Sequence, residues 1–325
     1  MLLARLRIYR RLARPFTLLA PMLGMVSGAL TALLVLGRHD GASLGVTLGE
    51  ALARLQPGEL LGNVLMGAFL AAALNVGSNI LNQWTDLAND KINKPHRPLP
   101  RGEVTLREIF VLVALFYALA LGLAAAIRPE GRWHTLIVVL AGLLLTLAYS
   151  VPPVRTKRFG TWANLTIAIA RGCLLKVAGW SCVAGVLDDA EPWYLGGVIA
   201  LFLFGATATK DFADMDGDRA AGCRTWPLRF GTKKAAQIMA PFFVLPWLLL
   251  PLGALGNNPL LSASLPGLVA LAFVLAAYGA FTASLILRDP DALAQEKNHP
   301  SWTHMYGLMI VAQVGLVIVY LIPTD

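Results

Sequence analysis

The sequence is poor in charged residues and in cysteine. Only 14% of its 325 residues are Asp, Glu, Lys or Arg, against about 25% in soluble globular proteins. The three cysteines, Cys173, Cys182 and Cys223, are odd in number and lack the spacing of a metal site, which argues against a disulfide framework and a zinc site. No low-complexity tract or linker divides the chain, so we expect one domain over residues 1–325.

Hydrophobic residues take the place of the missing charges. They make up 57% of the chain, and apolar runs of about 20 residues, long enough to cross a bilayer, recur from end to end. The composition therefore predicts an integral membrane protein. The net charge of +8 indicates basic cytoplasmic loops and not nucleic-acid binding, because Lys and Arg mark cytoplasmic loops in membrane chains. Such loops also suit a substrate with an anionic head group.

The apolar runs predict nine membrane-spanning helices. Their expected limits are 16–37, 61–84, 106–127, 134–151, 162–187, 193–213, 235–255, 264–287 and 303–322. With the N-terminus in the cytoplasm, the outside segments hold only four basic residues, Arg38, Arg54, Arg128 and Arg132. This bias predicts a cytoplasmic N-terminus. Residues 1–15 are expected to form a basic segment on the anionic inner surface, and residues 38–60 a longer outer loop.

A polar stripe ends the second predicted span. At about 100° per residue, the side chains of Asn75, Asn79, Asn82, Asp86 and Asp90 share one arc of a helix about 80° wide. Polar side chains on an apolar span face protein or a water-filled cavity, because lipid cannot satisfy them. The stripe therefore predicts a ligand site at the cytoplasmic end of this helix.

A second acidic stripe ends the sixth predicted span, in "TKDFADMDGDRAAG". On a continuing helix Asp211, Asp214 and Asp218 share one face, whereas Asp216 lies on the far side and is expected to be a bystander. Both stripes end spans that run inward, so both are expected at the same membrane surface. A faint internal echo supports this pairing, because each stripe is followed by an arginine, a proline and a glycine.

Carboxylates crowded at one surface need a cation between them. Hard oxygen ligands of this kind suit Mg²⁺, which is usually held by one or two carboxylates together with substrate phosphate. Basic side chains then neutralise a diphosphate and favour its departure. Lys157 is the first candidate for this role, followed by Arg97 and Arg224. Lys210 either binds substrate or pairs with a neighbouring aspartate.

With these motifs the chain resembles the UbiA family of membrane prenyltransferases over nearly its whole length. The resemblance rests on N-x3-D-x3-D at Asn82, Asp86 and Asp90, and on Y-S-x-P-P at Tyr149 with Lys157 downstream. It also rests on K-D-x2-D-x3-D-R, which holds Lys210, Asp211, Asp214 and Asp218, and on "RPFT" at residues 14–17. The combination is highly specific, although each part alone is not.

The resemblance implies an all-α bundle of nine spans around a central cavity. It implies a polyprenyl diphosphate donor whose diphosphate is held through Mg²⁺ between the two aspartate motifs, with the tail in a lateral groove that is open to lipid. By motif position it implies five metal ligands, bound directly or through water: Asn82, Asp86, Asp90, Asp214 and Asp218. Lys157 and Tyr149 would contact the diphosphate, and Lys210 and Asp211 are assigned to substrate binding.

The acceptor remains open among several branches of that family. "RGCLLK" at residues 171–176 and both acidic motifs are most similar to the homogentisate-type branch, which prenylates an aromatic head group. "RPLPRG" and "GCRTWPLRFG" are nearer to the chlorophyll-synthase and ether-lipid branches. Arg171, inside the fifth predicted span, is expected to bind the acceptor or to pair with an aspartate.

The mechanism expected from these residues is ionisation of an allylic diphosphate. The carbocation must be kept from water and is then attacked by an electron-rich acceptor, while a base removes a proton. A cation-coupled transporter is the alternative outside enzymes, but its charged residues would lie near mid-membrane. A phosphotransferase of the CDP-alcohol type is disfavoured, because no acidic residue follows Asp218 until Asp289.

Overall fold

The protein is all-α in the part of the chain that the structure describes. The computed structural model covers residues 2–39, 57–295 and 299–322, and these contain helices and no strand. The α-helices are α1 (Leu2–Ala13), α2 (Leu19–His39), α3 (Pro57–Thr85), α4 (Leu87–Asn93), α5 (Leu106–Ala126), α6 (His134–Ser150), α7 (Thr161–Ile167), α8 (Leu174–Ser181), α9 (Glu191–Ala206), α10 (Thr209–Ala213), α11 (Met215–Ala220), α12 (Trp226–Phe230), α13 (Thr232–Met239), α14 (Leu265–Arg288), α15 (Pro290–Gln295) and α16 (Pro300–Leu321). The predicted outer loop falls mainly on residues 40–56, outside the described chain.

Seven helical segments are long and apolar enough to cross a membrane. They are Pro15–Gly37, Gly58–Thr85, Leu106–Ala126, Glu191–Ala213, Thr232–Ala254, Leu265–Arg288 and Pro300–Leu321. Each matches a predicted span within a few residues. An eighth apolar helix, His134–Ser150, matches the fourth predicted span but has only 17 residues. The protein is therefore an integral membrane protein, as predicted from composition.

The segment predicted as a span over residues 162–187 differs from the prediction. It is built from α7, a π-helical turn at Ala168–Cys173 and α8, which ends at Ser181. The irregular turn breaks the segment into short helices. The predicted count of nine spans is thus not confirmed among the described residues, nor is the orientation of the N-terminus, and both stay predictions.

Proline explains the irregular second half of the segment Thr232–Ala254. Only α13 is α-helical, and 3₁₀-helices follow at Ala240–Phe243 and Leu245–Ala254. Pro241, Pro246 and Pro251 each remove an amide donor and crowd the carbonyl four residues back, which an α-helix cannot accommodate. The segment nonetheless keeps the length of a span.

The long helices pack around a shared centre. Helix α2 contacts α3, α8 and α16, α3 contacts α5, and α14 contacts α16. Glycine allows the closest of these approaches, because a Cβ on Gly28 would lie 2.6 Å from the carbonyl oxygen of Lys176 and 2.9 Å from the Cα of Gly179. On the outside, large apolar side chains such as Leu115 and Phe273 are exposed, as a lipid-facing surface requires.

Helix α1 lies against the rest of the chain through its arginines. Arg5 pairs with Glu108 at 3.2 Å, and Arg11 pairs with Glu103. Arg14 then takes a left-handed backbone conformation, with φ of 54°, and turns the chain into α2. The polar faces of the segments that carry the two acidic motifs point inward, where the site lies.

Candidate active site

A cavity of about 380 Å³ lies between α2, α3, α6, α7, α8, α9 and α16. Both acidic motifs line one end of it. The rest of its wall is largely apolar, from side chains such as Leu70, Leu74 and Val139. The cavity thus has a charged end and an apolar interior within one enclosure.

The first motif carries a break that the helical stripe did not predict. Helix α3 ends at Thr85, Asp86 leaves helical geometry with φ of −104° and ψ of 9°, and α4 begins at Leu87. The amide of Asp86 still donates to the carbonyl of Asn82 at 2.9 Å, and that of Asp90 to Asp86 at 2.7 Å. The helix therefore kinks at its central aspartate and keeps its polar face.

The second motif repeats this geometry. Helix α10 ends at Ala213, Asp214 has φ of −106° and ψ of 6°, and α11 begins at Met215. The amide of Asp218 donates to the carbonyl of Asp214 at 2.9 Å. The internal echo in the sequence thus corresponds to two kinked helix ends of the same shape.

The two motifs meet directly. Asn89 donates to Oδ1 of Asp218 at 2.6 Å, and Lys94 reaches both carboxylate oxygens of Asp214 at 2.6 Å. Asn93 bonds the carbonyl of Asp214 and the amide of Gly217. Residues more than a hundred positions apart in the chain therefore form one polar cluster.

Cations already stand beside the acids of the first motif. Lys157 forms an ion pair with Asp86, and Arg155 lies 4.0 Å from the same carboxylate. Arg97 donates to Oδ2 of Asp90 at 2.6 Å, with the Asp90 side chain only 2% exposed. The negative charge of the first motif is thus neutralised in part by lysine and arginine side chains of the same chain.

Burial makes the charges of this cluster costly. It raises the pKa of the Asp218 carboxyl to about 6, with the neighbouring Asp214 adding to the effect. Burial also raises the pKa of Asp90, which Arg97 partly offsets. It lowers the pKa of the Lys157 ammonium to about 8. These groups are poised for charged partners, because desolvation disfavours their ionised forms when they are alone.

The oxygen ligands of the site fit an Mg²⁺ ion whose coordination is completed by substrate. The carboxylates of Asp86, Asp90, Asp214 and Asp218 all line the cavity, with the amide side chains of Asn82 and Asn89 among them. Among the residues the structure describes, no three His, Cys, Asp or Glu side chains are close enough to hold a metal unaided. Such a set matches an ion that keeps waters and takes further ligands from phosphate.

The other predicted residues take different positions. Lys210 donates to the hydroxyl of Tyr149 at 3.1 Å, and Asp211 is buried beside it on the cavity wall. Arg171 also lines the cavity. Arg224 is exposed and is not among the lining residues, and its amide bonds the carbonyl of Arg158, so its predicted contact with diphosphate gains no support.

Some polar residues of the predicted stripe are used for structure. Asn75 and Asn79 donate to the backbone of Thr17 and Ala13, and both also reach the hydroxyl of Thr17. They fix the start of the first span at the cavity wall. Asn82 accepts a bond from Ser150 at 2.9 Å. Asp216 is exposed, pairs with Arg219 at 3.3 Å and is not among the lining residues, which agrees with its predicted place on the far side of the helix.

Several site residues were not predicted. Asn89 and Lys94 join the motifs, and Asn164 and Thr225 are buried in the wall with a side-chain polar atom that has no partner among described residues. Asn89 falls near the edge of the same helical arc, so the periodicity carried a weak signal for it. Asn164 and Thr225 gave no such signal.

Comparison with known proteins decides the family. The profile of the UbiA prenyltransferase family matches residues 42–297. The chain belongs to the UbiA prenyltransferase family. The resemblance read from the motifs is thus confirmed, and the chain is a prenyltransferase. Nothing in the comparisons supports a transporter.

Relatives with several different names are similar to this chain. The bacteriochlorophyll synthase 34 kDa chain of Chloroflexus aurantiacus is 32% identical over 56% of this chain and 57% of its own length. The 33 kDa chain of Cereibacter sphaeroides is 29% identical over 81% and 85%. Homogentisate phytyltransferase of Synechocystis is 32% identical over 70% of each chain. These relatives thus carry names from two of the three branches that the motifs suggested, the homogentisate and chlorophyll-synthase branches.

The fold also matches a solved structure. A UbiA homolog from Archaeoglobus fulgidus, in a structure bound to DMAPP and Mg²⁺, superposes with a TM-score of 0.67. The match covers 96% of this chain and 99% of that one at 20% identity. The described helices therefore have the UbiA fold.

Proposed function

We propose that the protein transfers a polyprenyl group from an allylic diphosphate to an acceptor, with Mg²⁺ held between the two aspartate motifs. The observation that carries this proposal is the direct junction of the motifs, through Asn89 with Asp218 and Lys94 with Asp214. A diphosphate at this junction meets carboxylates for its metal ion and lysines for its remaining charge. The solved homolog bound to DMAPP and Mg²⁺ supports the same assignment.

The ligands proposed for Mg²⁺ are Asn82, Asp86, Asp90, Asp214 and Asp218. The ion would supply charge neutralisation for the departing diphosphate. Lys157 lies beside Asp86 and is only 10% exposed, so it provides a desolvated cation at the leaving group. Lys210 and Tyr149 form a hydrogen-bonded pair on the cavity wall and would orient the same group.

The apolar wall protects the carbocation that this departure leaves. Water is excluded by aliphatic side chains such as Leu74 and Leu174, which line the cavity beyond the charged end. Attack by the acceptor then requires the loss of a proton. Asp211 is buried in the wall without a hydrogen-bonded partner among described residues, and it is the carboxylate proposed to take that proton.

The proposed acceptor is an aromatic head group that bears a negative charge. Arg171 carries this proposal, because it stands on the π-helical turn Ala168–Cys173 and lines the cavity without an ion pair to any described residue. π-Turns within α-helices often mark functional positions. A homogentisate- or hydroxybenzoate-like acceptor provides a carboxylate for this guanidinium, and so does a chlorophyllide-like one. A glyceryl ether lipid is the further alternative, since a digeranylgeranylglyceryl phosphate synthase is also among the relatives.

We also propose that the site faces the cytoplasm. The segments predicted on the same side as the acidic motifs hold 21 of the 27 basic residues, as cytoplasmic segments do. The diphosphate donor would then enter from the inner surface of the cytoplasmic membrane, and its tail would remain within the lipid-embedded part of the chain.

The experiment uses purified protein in liposomes with Mg²⁺, a geranylgeranyl diphosphate donor and each acceptor class in turn. Diphosphate release and prenylated product are measured together. We expect both with one of the carboxylate-bearing acceptors, and loss of both on chelation with EDTA. Absence of diphosphate release with every acceptor would contradict the proposal.

Arg171 has a test of its own. Arg171→Gln is expected to raise KM for a carboxylate acceptor about tenfold or more, because a charge-assisted bond is lost. KM for the donor should stay within about twofold in the same assay. Arg158→Gln, on an exposed loop, serves as the matched control. An equal rise for donor and acceptor would remove Arg171 from the acceptor site.

A further inference from the structure

Lys176 is a fully buried lysine within α8. Its amine nitrogen donates to the hydroxyl oxygens of Ser27, at 3.0 Å, and of Thr31, at 3.1 Å, which lie one turn apart on α2. Among the described residues it forms no ion pair, and it does not line the cavity. Ionisable side chains buried in membrane proteins are costly and mark functional positions. Lys176 therefore needs a role that the proposed transfer reaction does not give it.

A chain of hydrogen bonds leads from Lys176 to α16. The hydroxyl of Thr31 donates to the backbone carbonyl of Ser27 at 2.6 Å, and the hydroxyl of Ser27 donates to the backbone carbonyl of Gln313 at 2.7 Å. Because each hydroxyl has only one proton, both oxygens are left to accept from the lysine. Lys176 on α8 thus fixes Ser27 on α2, and Ser27 fixes the backbone of α16 at Gln313.

The side chain of Gln313 lines the cavity and lacks a full set of partners. Its Nε2 has one weak contact, with Sδ of Met309 at 3.7 Å. Its Oε1 is buried and has no hydrogen-bond partner among the described residues, and the whole residue is only 4% exposed. A buried carbonyl oxygen without a partner is costly. At a cavity wall it indicates a ligand that donates a hydrogen bond.

Gln313 lies on the part of the cavity wall next to Arg171. A Cβ on Gly24 would lie 2.8 Å from Cδ2 of Leu175 and 3.8 Å from Nε2 of Gln313, so these two side chains meet at one glycine. Leu175 also lines the cavity and follows Arg171 by four residues, or about 6 Å along a helix. The guanidinium proposed to bind the acceptor and the unpartnered carboxamide oxygen therefore belong to neighbouring parts of one wall.

The molecule that satisfies Oε1 of Gln313 must carry a hydroxyl or an N–H group. A prenyl tail is a hydrocarbon and has neither, so a tail against Gln313 would leave the oxygen unpaired. A hydroxyl on the ring of an aromatic acid can donate to Oε1 while the carboxylate of the same molecule meets Arg171. The acceptor is thus the substrate whose chemistry fits this wall.

We propose that Gln313 binds a ring hydroxyl of the acceptor, and that Lys176 is a positioning residue that holds Gln313 in place through Ser27. This inference rests on the proposed function, because it takes the acceptor of that reaction as the occupant. It adds that the acceptor carries a hydroxyl as well as a carboxylate, as hydroxylated aromatic acids do. It also gives the buried lysine a role outside the reacting centre.

The test measures Kd, in nanodiscs and without donor, for aromatic acids that differ only in ring hydroxyls. The pairs are 4-hydroxybenzoate with benzoate and homogentisate with phenylacetate, titrated by calorimetry. The wild type should prefer the hydroxylated member of a pair by about tenfold or more, because its absence leaves Oε1 unpaired. Gln313→Met, which keeps the length of the side chain and removes the carboxamide, should reduce that preference to within about twofold. Its Kd for the plain acid should stay within about twofold of wild type.

Variants of the hydrogen-bond chain test the positioning role. Ser27→Ala cuts the link between Lys176 and Gln313, and Lys176→Met removes the amine, so both should lose most of the hydroxyl preference. Thr31→Val is the matched control, because Thr31 contacts the lysine but has no bond to Gln313. It should keep the preference within about twofold of wild type. Equal losses in Ser27→Ala and Thr31→Val would reduce the network to a structural one and overturn the role of Lys176.

The binding measurement separates this inference from the transfer reaction. Hydroxyl-selective binding that Gln313→Met abolishes would uphold the inference even if no prenylated product formed, in which case the proposed function alone would fail. Equal binding of hydroxylated and plain acids by the wild type would overturn it, and so would failure of every acid to bind at millimolar concentration. If the donor tail occupies this wall instead, Gln313→Met should tighten binding of a thiolodiphosphate donor analogue and leave the acid pairs unchanged.

Gln313→Asn guards against a failure of Gln313→Met to fold. It keeps a carboxamide but shortens the side chain by one carbon, so the hydroxyl preference should fall by a smaller factor than in the methionine variant. An unchanged preference in both Gln313→Asn and Ser27→Ala would contradict the proposal.

Discussion

Asp216 and Asp218 lie two residues apart in the second motif, but we expect only Asp218 to take part in the reaction. Asp218 is largely buried, accepts a bond from Asn89 and lines the cavity, whereas the side chain of Asp216 is 84% exposed and pairs only with Arg219 among described residues. Asp218→Asn should lower kcat by about a hundredfold or more, because it removes a charge that acts on the leaving group. Asp216→Asn should stay within about twofold of wild type in the same diphosphate-release assay, since exposed pairs contribute little. Similar losses in both variants would show that the motif acts through net charge alone.

Lys157 offers a second comparison within one loop. Burial lowers the pKa of its ammonium to about 8, so it remains mostly charged at neutral pH and is poorly screened. Lys157→Gln should lower kcat by about a hundredfold, with a smaller effect on donor binding, because its charge is needed most as diphosphate departs. The exposed neighbour Arg158, as Arg158→Gln, is the control. A rise in donor KM with unchanged kcat would reassign Lys157 to ground-state binding.

Residue types and spacing were enough to predict the aspartates that line the cavity. The predicted Asp86, Asp90, Asp214 and Asp218 all line one cavity. The partners of these acids were harder to predict, because an ion pair depends on which distant segment lies opposite. Lys94 pairs with Asp214 across 120 positions, and no local pattern encodes that distance. Arg224 was placed with the site from its motif, but its side chain is exposed away from the lining.

At the level of helices, the contact between α4 and α11 joins the two motifs. Gly217 makes this contact possible, because a Cβ there would lie 2.6 Å from Oδ1 of Asn89 and would also meet the side chain of Asn93. Gly217→Val should separate the helices and break the bond from Asn89 to Asp218. Loss of a buried charged hydrogen bond of about 1–3 kcal/mol predicts a tenfold to hundredfold drop in kcat/KM.

The readout for Gly217→Val is the Mg²⁺ concentration needed for half-maximal rate, which should rise as the ligands move apart. Gly197→Val on α9 is the control, because a Cβ at Gly197 meets no described atom within 4 Å. An unchanged Mg²⁺ requirement with normal activity in Gly217→Val would mean that the junction between the motifs is not needed for metal binding.

Helix α1 is predicted to dock on anionic lipid. Arg7 and Arg10 are exposed and form no ion pair with a described residue, and Leu3 and Leu6 expose apolar surface on the same helix. Each arginine near such a surface contributes about 1 kcal/mol. The Tm of the wild type in nanodiscs should therefore rise when zwitterionic lipid is replaced by anionic lipid.

The double variant Arg7→Gln/Arg10→Gln should lose most of that rise in Tm. Arg128→Gln/Arg132→Gln, in a predicted outer segment, should keep most of the rise in Tm in the same nanodiscs. Equal behaviour of both double variants would assign the lipid effect to overall charge and not to α1.

The positions of the helices could be predicted from the sequence, but their kinks could not. Runs of apolar residues fix where a chain can cross the bilayer, and eight predicted spans agree with described helices within a few residues. The kinks at Asp86 and Asp214 and the π-turn at Ala168–Cys173 involve only a few backbone angles each. Hydropathy does not report such angles, although they aim the side chains that form the site.

At the scale of the whole molecule, the main prediction is the orientation of the chain in the membrane. All the acidic residues of the site lie at one end of the helices, next to the most basic loops. If these loops are cytoplasmic, His96 is inside and Glu130 outside, and both side chains are exposed in the structure. Single cysteines can then report the side, once Cys173, Cys182 and Cys223 are replaced by serine or alanine.

A membrane-impermeant maleimide applied to intact cells should label Glu130→Cys and leave His96→Cys unlabelled. In inverted vesicles the pattern should reverse, and disruption with detergent should expose both sites as a control for reactivity. The opposite pattern would place the diphosphate site outside, where cytoplasmic donors do not reach it, and the proposed route of substrate entry would fail. The sign of the loop charges would then need another cause, because the bias in Lys and Arg is the sole support for a cytoplasmic site.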